Sequence, residues 1–532
     1  MLNRLCGTDL GPHNIIDTLV LSTLYSPSLD GGHSLDAWGE RIGEPKIHFN
    51  DWSRLSPAMI EYCHQDVLVT AKLFVKLIKT MERIGFTEGS IWLQHNITDV
   101  LRRQQENGFY FNPQEATYLL SRLRQMEAQL VDEVREVFPA KRELVACRKL
   151  YKKDGDFTAQ YLKDRERYIL EFDNQAGVYR AYEDVEFNLG SPKQRVDKLL
   201  SLGWEPYTFT DKGNPKPFDK GDLSPCLKEF LERNPTPQVE LIARWMAYNG
   251  RANMINTWLE NYNHDTGCIH GNLFVADTLR FRHQAPNTAN IPGVRQSKEG
   301  AVLRGQEGYF TYEARDLWCA RPGRILVGTD AASLELRMLA HFLDRPEFTE
   351  QVVNGDVHQY NADLAGCTRP QAKTLIYATL YGAGAAKIAK SLGLSVREAS
   401  GVRKMFLERL GADKLIEECQ YEQRTGRVRL VDGSLVVCPS PHAALNYKLQ
   451  GSGARVMAFG AVLLEKYIQA NHLDSLKVGN IHDEFQYDVL PDHAEEHGRV
   501  AVKSIIKAGE KLKLNCPLDA TSKVGRTWSE TH

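Results

Sequence analysis

Apolar and polar positions divide the chain into segments of different period. IIDTLVLSTLY, residues 15–25, is a strand-like apolar run, followed by a Gly-Gly loop. SPAMIEYCHQDVLVTAKLFVKLIKTM then has the three-and-four spacing of a long helix, so residues 1 to about 85 are expected to form part of an α/β domain. From about 90 to 140, IWLQHNITDVLRRQQENG and PQEATYLLSRLRQMEAQLVDEVREVF predict successive helices split by Gly108 and Pro113. The pattern decays over 141–186, beginning with KRELVACRKLYKK, which has six basic residues and one acidic in thirteen. Such a stretch is either a solvated charged face or a surface for nucleic acid or a partner. FNLGSPKQRVDKLLSLGW enters another helix, TFTDKGNPKPFDKGDLSP reads as a loop, and helices resume through about 262.

The C-terminal half alternates strand-like runs, RILVGTD and SLKVGNIHDEFQYDV, with the helical ASLELRMLAHFL and QGSGARVMAFGAVLLEKYIQA. No repeat of fixed period is present, and the mixture predicts α/β or α+β architecture. A length of 532 residues suggests two to four domains. With 42% apolar and 25% charged residues, the composition is that of a soluble globular protein. Ten cysteines are scattered from Cys6 to Cys516 without a CxxC pair, which favours reduced thiols in a cytosol over a zinc ribbon or disulfide framework. MLNRLCGTDLGPHN lacks a signal-peptide core, and no run of about 18 apolar residues supplies a membrane span. A formal charge of −2 leaves nucleic-acid binding open, because local arrangement is what attracts phosphate.

RPQAKTLIYATLYGAG, residues 369–384, spaces Arg369, Lys373, Tyr377 and Tyr381 four apart. Thr368 can cap a helix there, and Pro370 fits its first turn. The four residues then make one stripe spanning roughly 18 Å of axis. Two readings stand. The cations can sit in solvent while only the tyrosines pack, or all four can meet a polyanion with a flat aromatic part, such as a nucleotide.

In ILVGTDAASLELRMLAHF an apolar strand ends at Asp330 and a helix opens at Ala332 and Ser333, so Asp330 either points into a crevice or serves as an N-cap. KVGNIHDEFQYDV reads as a hairpin with His482, Asp483 and Glu484 at its bend. Carboxylates on two strand ends, without histidine or cysteine ligand spacing, suit magnesium. Two such ions about 3.5–4 Å apart can activate an attacking oxygen and stabilise a leaving one. Together with a phosphate-gripping helix, they point to nucleotidyl transfer.

These three stretches resemble, in order, motifs A, B and C of the family A DNA polymerases, the DNA polymerase I superfamily. TLRFRHQAPNTANIP (278–292) is similar to the segment before motif A, NYKLQGSGA to the family's Asn-x-x-x-Gln helix, and FNLGSPKQ to a thumb motif. GDVHQYNA, SPHAALN and the overall spacing look closest to the replicative polymerases of T-odd coliphage-type short-tailed phages. The resemblance covers nearly the whole chain. It implies a right hand of palm, fingers and thumb: thumb over 86–275 with an insertion at about 141–186, palm over 276–345, fingers over 346–425 and palm again over 426–532.

The resemblance further implies roles for particular residues. Asp330 and Asp483, with the carbonyl of Ala331, would hold two Mg2+ ions, for which Mn2+ could substitute, and Glu484 joins them as a catalytic acid. Arg369, Lys373 and His358 would grip the dNTP triphosphate, Glu335 would crowd the sugar 2′ position, Tyr377 would stack near the sugar, and Tyr381 would guard the template slot. Arg280, Asn446, Gln450 and His482 would track the primer-template DNA. In this family a tyrosine at the position of Tyr377 is associated with acceptance of dideoxynucleotides.

YCHQD resembles the third motif of a proofreading 3′→5′ exonuclease of RNase H-like fold, with Tyr62 and Asp66. The first two acidic motifs are expected upstream of this chain; Asp9 and Asp17 lack a DxE pattern and read as loop and strand-edge residues. Residues 1–85 are therefore expected to be an incomplete exonuclease domain with an exposed sheet, through truncation, natural loss of proofreading or a split enzyme with a separate N-terminal exonuclease chain. Phage members of this type can carry a thumb insertion that binds a host processivity factor, so a thioredoxin-like protein is a candidate partner at 141–186, against which stands the shortness of this insertion. A replicative helicase-primase is a further partner of such enzymes, and the expected compartment is the host bacterial cytoplasm. The alternatives are a catalytically idle DNA-binding or assembly subunit of a split polymerase and a hydrolytic nuclease.

Overall fold

Four antiparallel strands carry the centre of the structure: β1 (Ile325–Ala331), β2 (Ser475–Ile481), β3 (Glu484–Val489) and β4 (Ala520–Gly525), in the order β2-β3-β1-β4. The computed structural model describes residues 15–532 except 211, 220, 221, 298, 381, 383–387, 390 and 391. Contacts divide the chain into two units, Met1–Pro113 with Thr257–Leu303 and Thr311–His532, and Gln114–Asn256 with Arg304–Phe310. The sheet belongs to the first.

Alternation along β3 decides what each side of the sheet meets. Phe485, Tyr487 and Val489 enter a large core shared with Ala461 and Leu464 of one helix and Ala501 and Ile505 of another. Burying each large apolar side chain there contributes on the order of 2 kcal/mol. Glu484, Gln486 and Asp488, on the other side, are buried and polar, so each needs a partner. Asp488 pairs with Arg321 and Arg324, and Gln486 bonds Thr531. Gly328, opposite Gln486 on β1, leaves room for the Thr531 carbonyl, which would lie 2.3 Å from an added Cβ.

Five helices of this unit matter for the site: α1 (Leu334–Leu343), α2 (Val357–Ala365), α3 (Arg369–Leu380), α4 (Ala444–Ala470) and α5 (Ala494–Lys511). The start of α3 agrees with the sequence at Pro370, whereas the Thr368 hydroxyl, expected as a cap, donates to Gln371 Oε1 at 2.9 Å. Pro370 lies in the first turn, the Thr368 carbonyl accepts from Ala372 N at 2.8 Å, and Gln371 reaches back to accept from Thr368 N at 3.0 Å. Its buried side is Ala372, Leu375, Ile376, Thr379 and Leu380, leaving Arg369 and Lys373 exposed and Tyr377 half-buried.

The N-terminal residues depart from expectation. IIDTLVLSTLY contains a helix, Thr18–Tyr25, and Asp17 is its N-cap, accepting from Leu19 N at 2.7 Å, where a strand-edge residue was expected. A short apolar run has no decisive period of its own, and Val20, Leu21 and Leu24 make one buried helical face. Helices Leu35–Ile42, Pro57–Ile84 and Glu88–Asn107 follow, with no strand among the described residues 15–108. The expected α/β character and exposed sheet of residues 1–85 are thus absent from the described part, and Asp9 lies outside it. No helix among the described residues is long and apolar enough to cross a membrane.

In the second unit, helices Pro113–Val137 and Pro237–Glu260 enclose the region whose periodicity decays. Residues 141–185 fold as a three-stranded antiparallel sheet in which Val178–Val185 lies between Lys141–Lys149 and Ile169–Asp173. Leu150, Tyr179 and Ala181 form a small core beneath helix Ala159–Asp164. Buried Asp164 ties the pieces together, accepting from Tyr179 Oη at 2.7 Å, Arg148 Nη1 at 2.6 Å and Gln160 Nε2 at 2.8 Å. Residues 86–113 and 257–275 of the expected thumb span count with the first unit.

Candidate functional site

Two strand ends meet at the edge of the central sheet. Asp330 of β1 pairs with Glu484 of β3, and the next backbone bond runs from Ala331 N to the Asp483 carbonyl at 3.0 Å. Both connections turn sharply: Ser333, before α1, and His482, at the exposed hairpin tip, have φ of 50° and 54°. Asp330 is therefore a strand residue, and Ser333 takes the N-cap position of α1.

The two aspartates are held in unfavourable surroundings for charge. Burial first, then the charges of Asp483 and Glu484, push the Asp330 carboxyl up to about 6. Burial also raises Asp483, helped by Glu484 and Glu335 and opposed by a backbone bond and by Arg280. A hard dication would relieve both strains, and two carboxylates at a strand edge give the oxygen donors magnesium prefers. No group of three or more His, Cys, Asp or Glu among the described residues forms a full cage. Mg2+ commonly binds through one or two carboxylates and completes its shell with water and substrate phosphate.

Glu484 differs. It is buried, with Oε1 accepting from Trp528 Nε1 at 2.5 Å and Gln486 Nε2 at 2.6 Å, and Oε2 bonded to His532 Nδ1 at 2.8 Å. Burial alone would raise its pKa, but the bonds to His532 and Gln486 and the charges of His532 and Arg315 hold it below the usual carboxylate range. Its oxygens are committed to protein donors.

A continuous path leads from the acids to the cations of α3. Arg280 Nη2 donates to Glu335 Oε1 at 2.9 Å, and Glu335 in the first turn of α1 is near enough to help burial raise the Tyr377 hydroxyl. The His358 ring lies 6.1 Å from that of Tyr377. Burial, then the charges of Lys373 and Arg369, lower the His358 pKa, so three basic side chains cluster there. Arg369 Nε donates to Asp356 Oδ2 at 2.8 Å on the open surface, where such a pair is readily exchanged.

Tyr381 lies outside the described residues. Gly382, with φ of 66°, lies beside the His442 carbonyl, 3.0 Å from where a Cβ would stand. Asn446 and Gln450 lie one turn apart near the start of α4, both half-buried. The adjacent Gly451 lets the Thr278 carbonyl approach, at 3.1 Å from an added Cβ, which brings α4 beside the segment that carries Arg280.

Tyr62 and Asp66 occupy one face of helix Pro57–Ile84. Lys46 donates to the Tyr62 hydroxyl and pairs with Asp66, both at 3.1 Å, while the Tyr62 ring packs on Phe49 and Trp52. A lysine answers Asp66 there. Sequence reasoning also missed Asp356, Trp528 and His532, which hold site residues from distant positions; a buried-strand glutamate needing donors is the signal that could have prompted a search for them.

The profile of DNA polymerase family A matches residues 164–530. The chain is 30% identical to the DNA-directed DNA polymerase of Enterobacteria phage T3, over 98% of this chain and 88% of that protein. It is 29% identical to the DNA-directed DNA polymerase of Escherichia phage T7, with the same coverage. Among solved structures, it is similar to the POL domain of Pol1 from M. smegmatis in complex with DNA primer-template and dNTP, with a TM-score of 0.73 and 19% identity, covering 97% of this chain and 82% of that one. The chain belongs to DNA polymerase family A.

Proposed function

We propose that this chain is a template-directed DNA polymerase that adds deoxynucleotides to a primer 3′ end. The observation that carries the reading is the meeting of Asp330 at the end of β1 with Asp483 in the β2–β3 hairpin turn, both with raised pKa, at one end of a path through Glu335 and Tyr377 to His358, Lys373 and Arg369. Two Mg2+ ions, or Mn2+ in their place, held by Asp330, Asp483 and the Ala331 carbonyl would supply the charge that activates the primer oxygen and neutralises departing pyrophosphate.

The chain's own residues bind and orient. Arg369 leaves Asp356 for the triphosphate, joined by Lys373 and His358, while Tyr377 packs against the sugar. Glu335 closes the space a 2′-hydroxyl would need. Arg280, Asn446, Gln450 and His482 follow the primer-template, and Tyr381 guards the template slot. Glu484 orients the strand end that carries Asp330 through its bonds to Trp528, Gln486 and His532.

In this reading 276–345 and 426–532 are palm, 346–425 fingers and 86–275 thumb, and the enzyme works in a bacterial cytoplasm with a helicase-primase. The sheet at 141–185 is the candidate surface for a thioredoxin-like factor, and a pull-down combined with primer extension on long template tests it. This chain alone is without proofreading in this reading: that chemistry needs four carboxylates around two metals, and Asp66, the one its motif supplies here, pairs with Lys46. Primer extension with one labelled nucleotide tests the reading. Wild type should extend the primer and Asp483→Ala should not, whereas an idle subunit would extend in neither case and a nuclease would shorten the primer.

A further inference from the structure

Behind the catalytic hairpin lies a cavity of about 20 Å³, bordered by Val478, Gly479 and Ile481 of β2 and by Gln104, His283 and Trp318. Gln104 is 7%, His283 6% and Trp318 0% exposed. Gln104 Oε1, His283 Nε2 and Trp318 Nε1 have no hydrogen-bond partner in the protein. Buried polar atoms are almost always satisfied, so three orphans around one small space call for a ligand. The space holds about one water molecule.

We propose that one ordered water occupies this cavity, accepting from Trp318 Nε1, donating to Gln104 Oε1 and bonded to His283 Nε2. A water's two donors and two acceptor positions can meet this set. His283 Nδ1 lies 2.7 Å from Thr288 Oγ1, and the water meets Nε2 as donor or as acceptor according to which ring nitrogen carries the proton. Burial, then the charge of His482, lower its pKa to about 4, while the Asn480 backbone opposes them, so the ring is neutral near pH 7. No side chain substitutes easily, since the site asks for both donors and acceptors within the volume of a single small molecule.

The water joins three separate parts of the chain: helix Glu88–Asn107 through Gln104, strand Phe281–Gln284 through His283, and the residue after helix Thr311–Asp316 and Leu317, Trp318. All three converge on the wall formed by Gly479 and Ile481, and Asp483 follows two residues later. Gly479 cannot carry a side chain that fills the space, because its Cβ would lie 2.9 Å from Gln486 Cβ. The water and its three partners are thus positioning groups for the hairpin. The water site stands without the polymerase reading, whereas its effect on rate rests on that reading.

High-resolution diffraction from the full chain should show one fully occupied water within hydrogen-bond distance of all three atoms. Trp318→Phe keeps the ring and removes the N–H, and Gln104→Met keeps the volume and removes the acceptor; each should weaken or displace that density. In primer extension both should lower kcat several-fold with the dNTP KM unchanged. A dry cavity, three atoms bonded to protein, or density unaltered in both variants would overturn the site. Normal kcat in variants that have lost the water would overturn its positioning role, and loss of extension by Asp483→Ala remains a separate test of the polymerase reading.

Discussion

Asp330 and Glu484 stand directly opposite each other on adjacent antiparallel strands, yet their carboxyl groups are pushed in opposite directions. Asp330 is raised by burial and by two neighbouring acids, while Glu484 is satisfied by His532, Gln486 and Trp528. One register pair therefore holds a strained anion beside a settled one. The strained member is poised for a cation.

This contrast predicts a stability effect. The folded pKa of Asp330, about 6, exceeds the ordinary aspartate value of 3.8, so the folded state binds the extra proton between those values. The metal-free chain should lose stability as pH rises through about 6. Asp330→Asn should remove that loss, stabilising the metal-free chain at pH 8 by on the order of 1 kcal/mol after allowance for solvent screening, while abolishing primer extension. Denaturant unfolding at several pH values checks it, and an unchanged pH slope in the variant would contradict it.

A second pH effect comes from Lys477 on β2. Its ammonium lies 4.0 Å and 4.7 Å from the ring centroids of Phe485 and Tyr487 and has no hydrogen-bond partner. Burial lowers its pKa to about 7, with Glu465 opposing. Between about 7 and 10.5 the unfolded chain binds the proton the folded chain lacks, so this group makes stability rise with pH across that window. Lys477→Met should stabilise the protein at pH 7 by on the order of 1–3 kcal/mol and flatten the rise. Thermal unfolding at pH 7 and 9 reads both effects.

Arg369 is engaged by Asp356, which also caps α2 by accepting from His358 N and Gln359 N. Asp356→Asn keeps a capping oxygen and removes the competing charge. The dNTP KM should fall a few-fold in this variant and rise at least ten-fold in Arg369→Ala. A higher KM in Asp356→Asn would show that the pair orders Arg369 for substrate.

Tyr377 should make the enzyme accept dideoxynucleotides, and Tyr377→Phe should reduce that acceptance. Competition between dideoxy- and deoxynucleotide on one template measures the ratio. Rejection by wild type, unchanged in the variant, would contradict the assignment of α3.

Much of the candidate site was legible because its sequence signals are local. In α3, cap, proline and four-residue spacing lie within one short segment, and the hairpin of β2 and β3 shows its alternation in sequence. The helix Thr18–Tyr25 was hidden because an apolar run of that length fits either period. The sheet at 141–185 was hidden because its first strand, Lys141–Lys149, is exposed at nearly every position and so shows no alternation. The surroundings of Glu484 were out of reach for another reason: its donors Trp528 and His532 lie 44 and 48 residues away, and no local pattern links them.

The most direct measurement is anomalous diffraction from crystals of the chain with primer-template, a non-hydrolysable dNTP and Mn2+. Two manganese peaks bridging the Asp330 and Asp483 carboxylates, in contact with the triphosphate held by Arg369 and Lys373, are the predicted result. Manganese bound elsewhere, with those carboxylates carrying no metal beside a bound nucleotide, would contradict it.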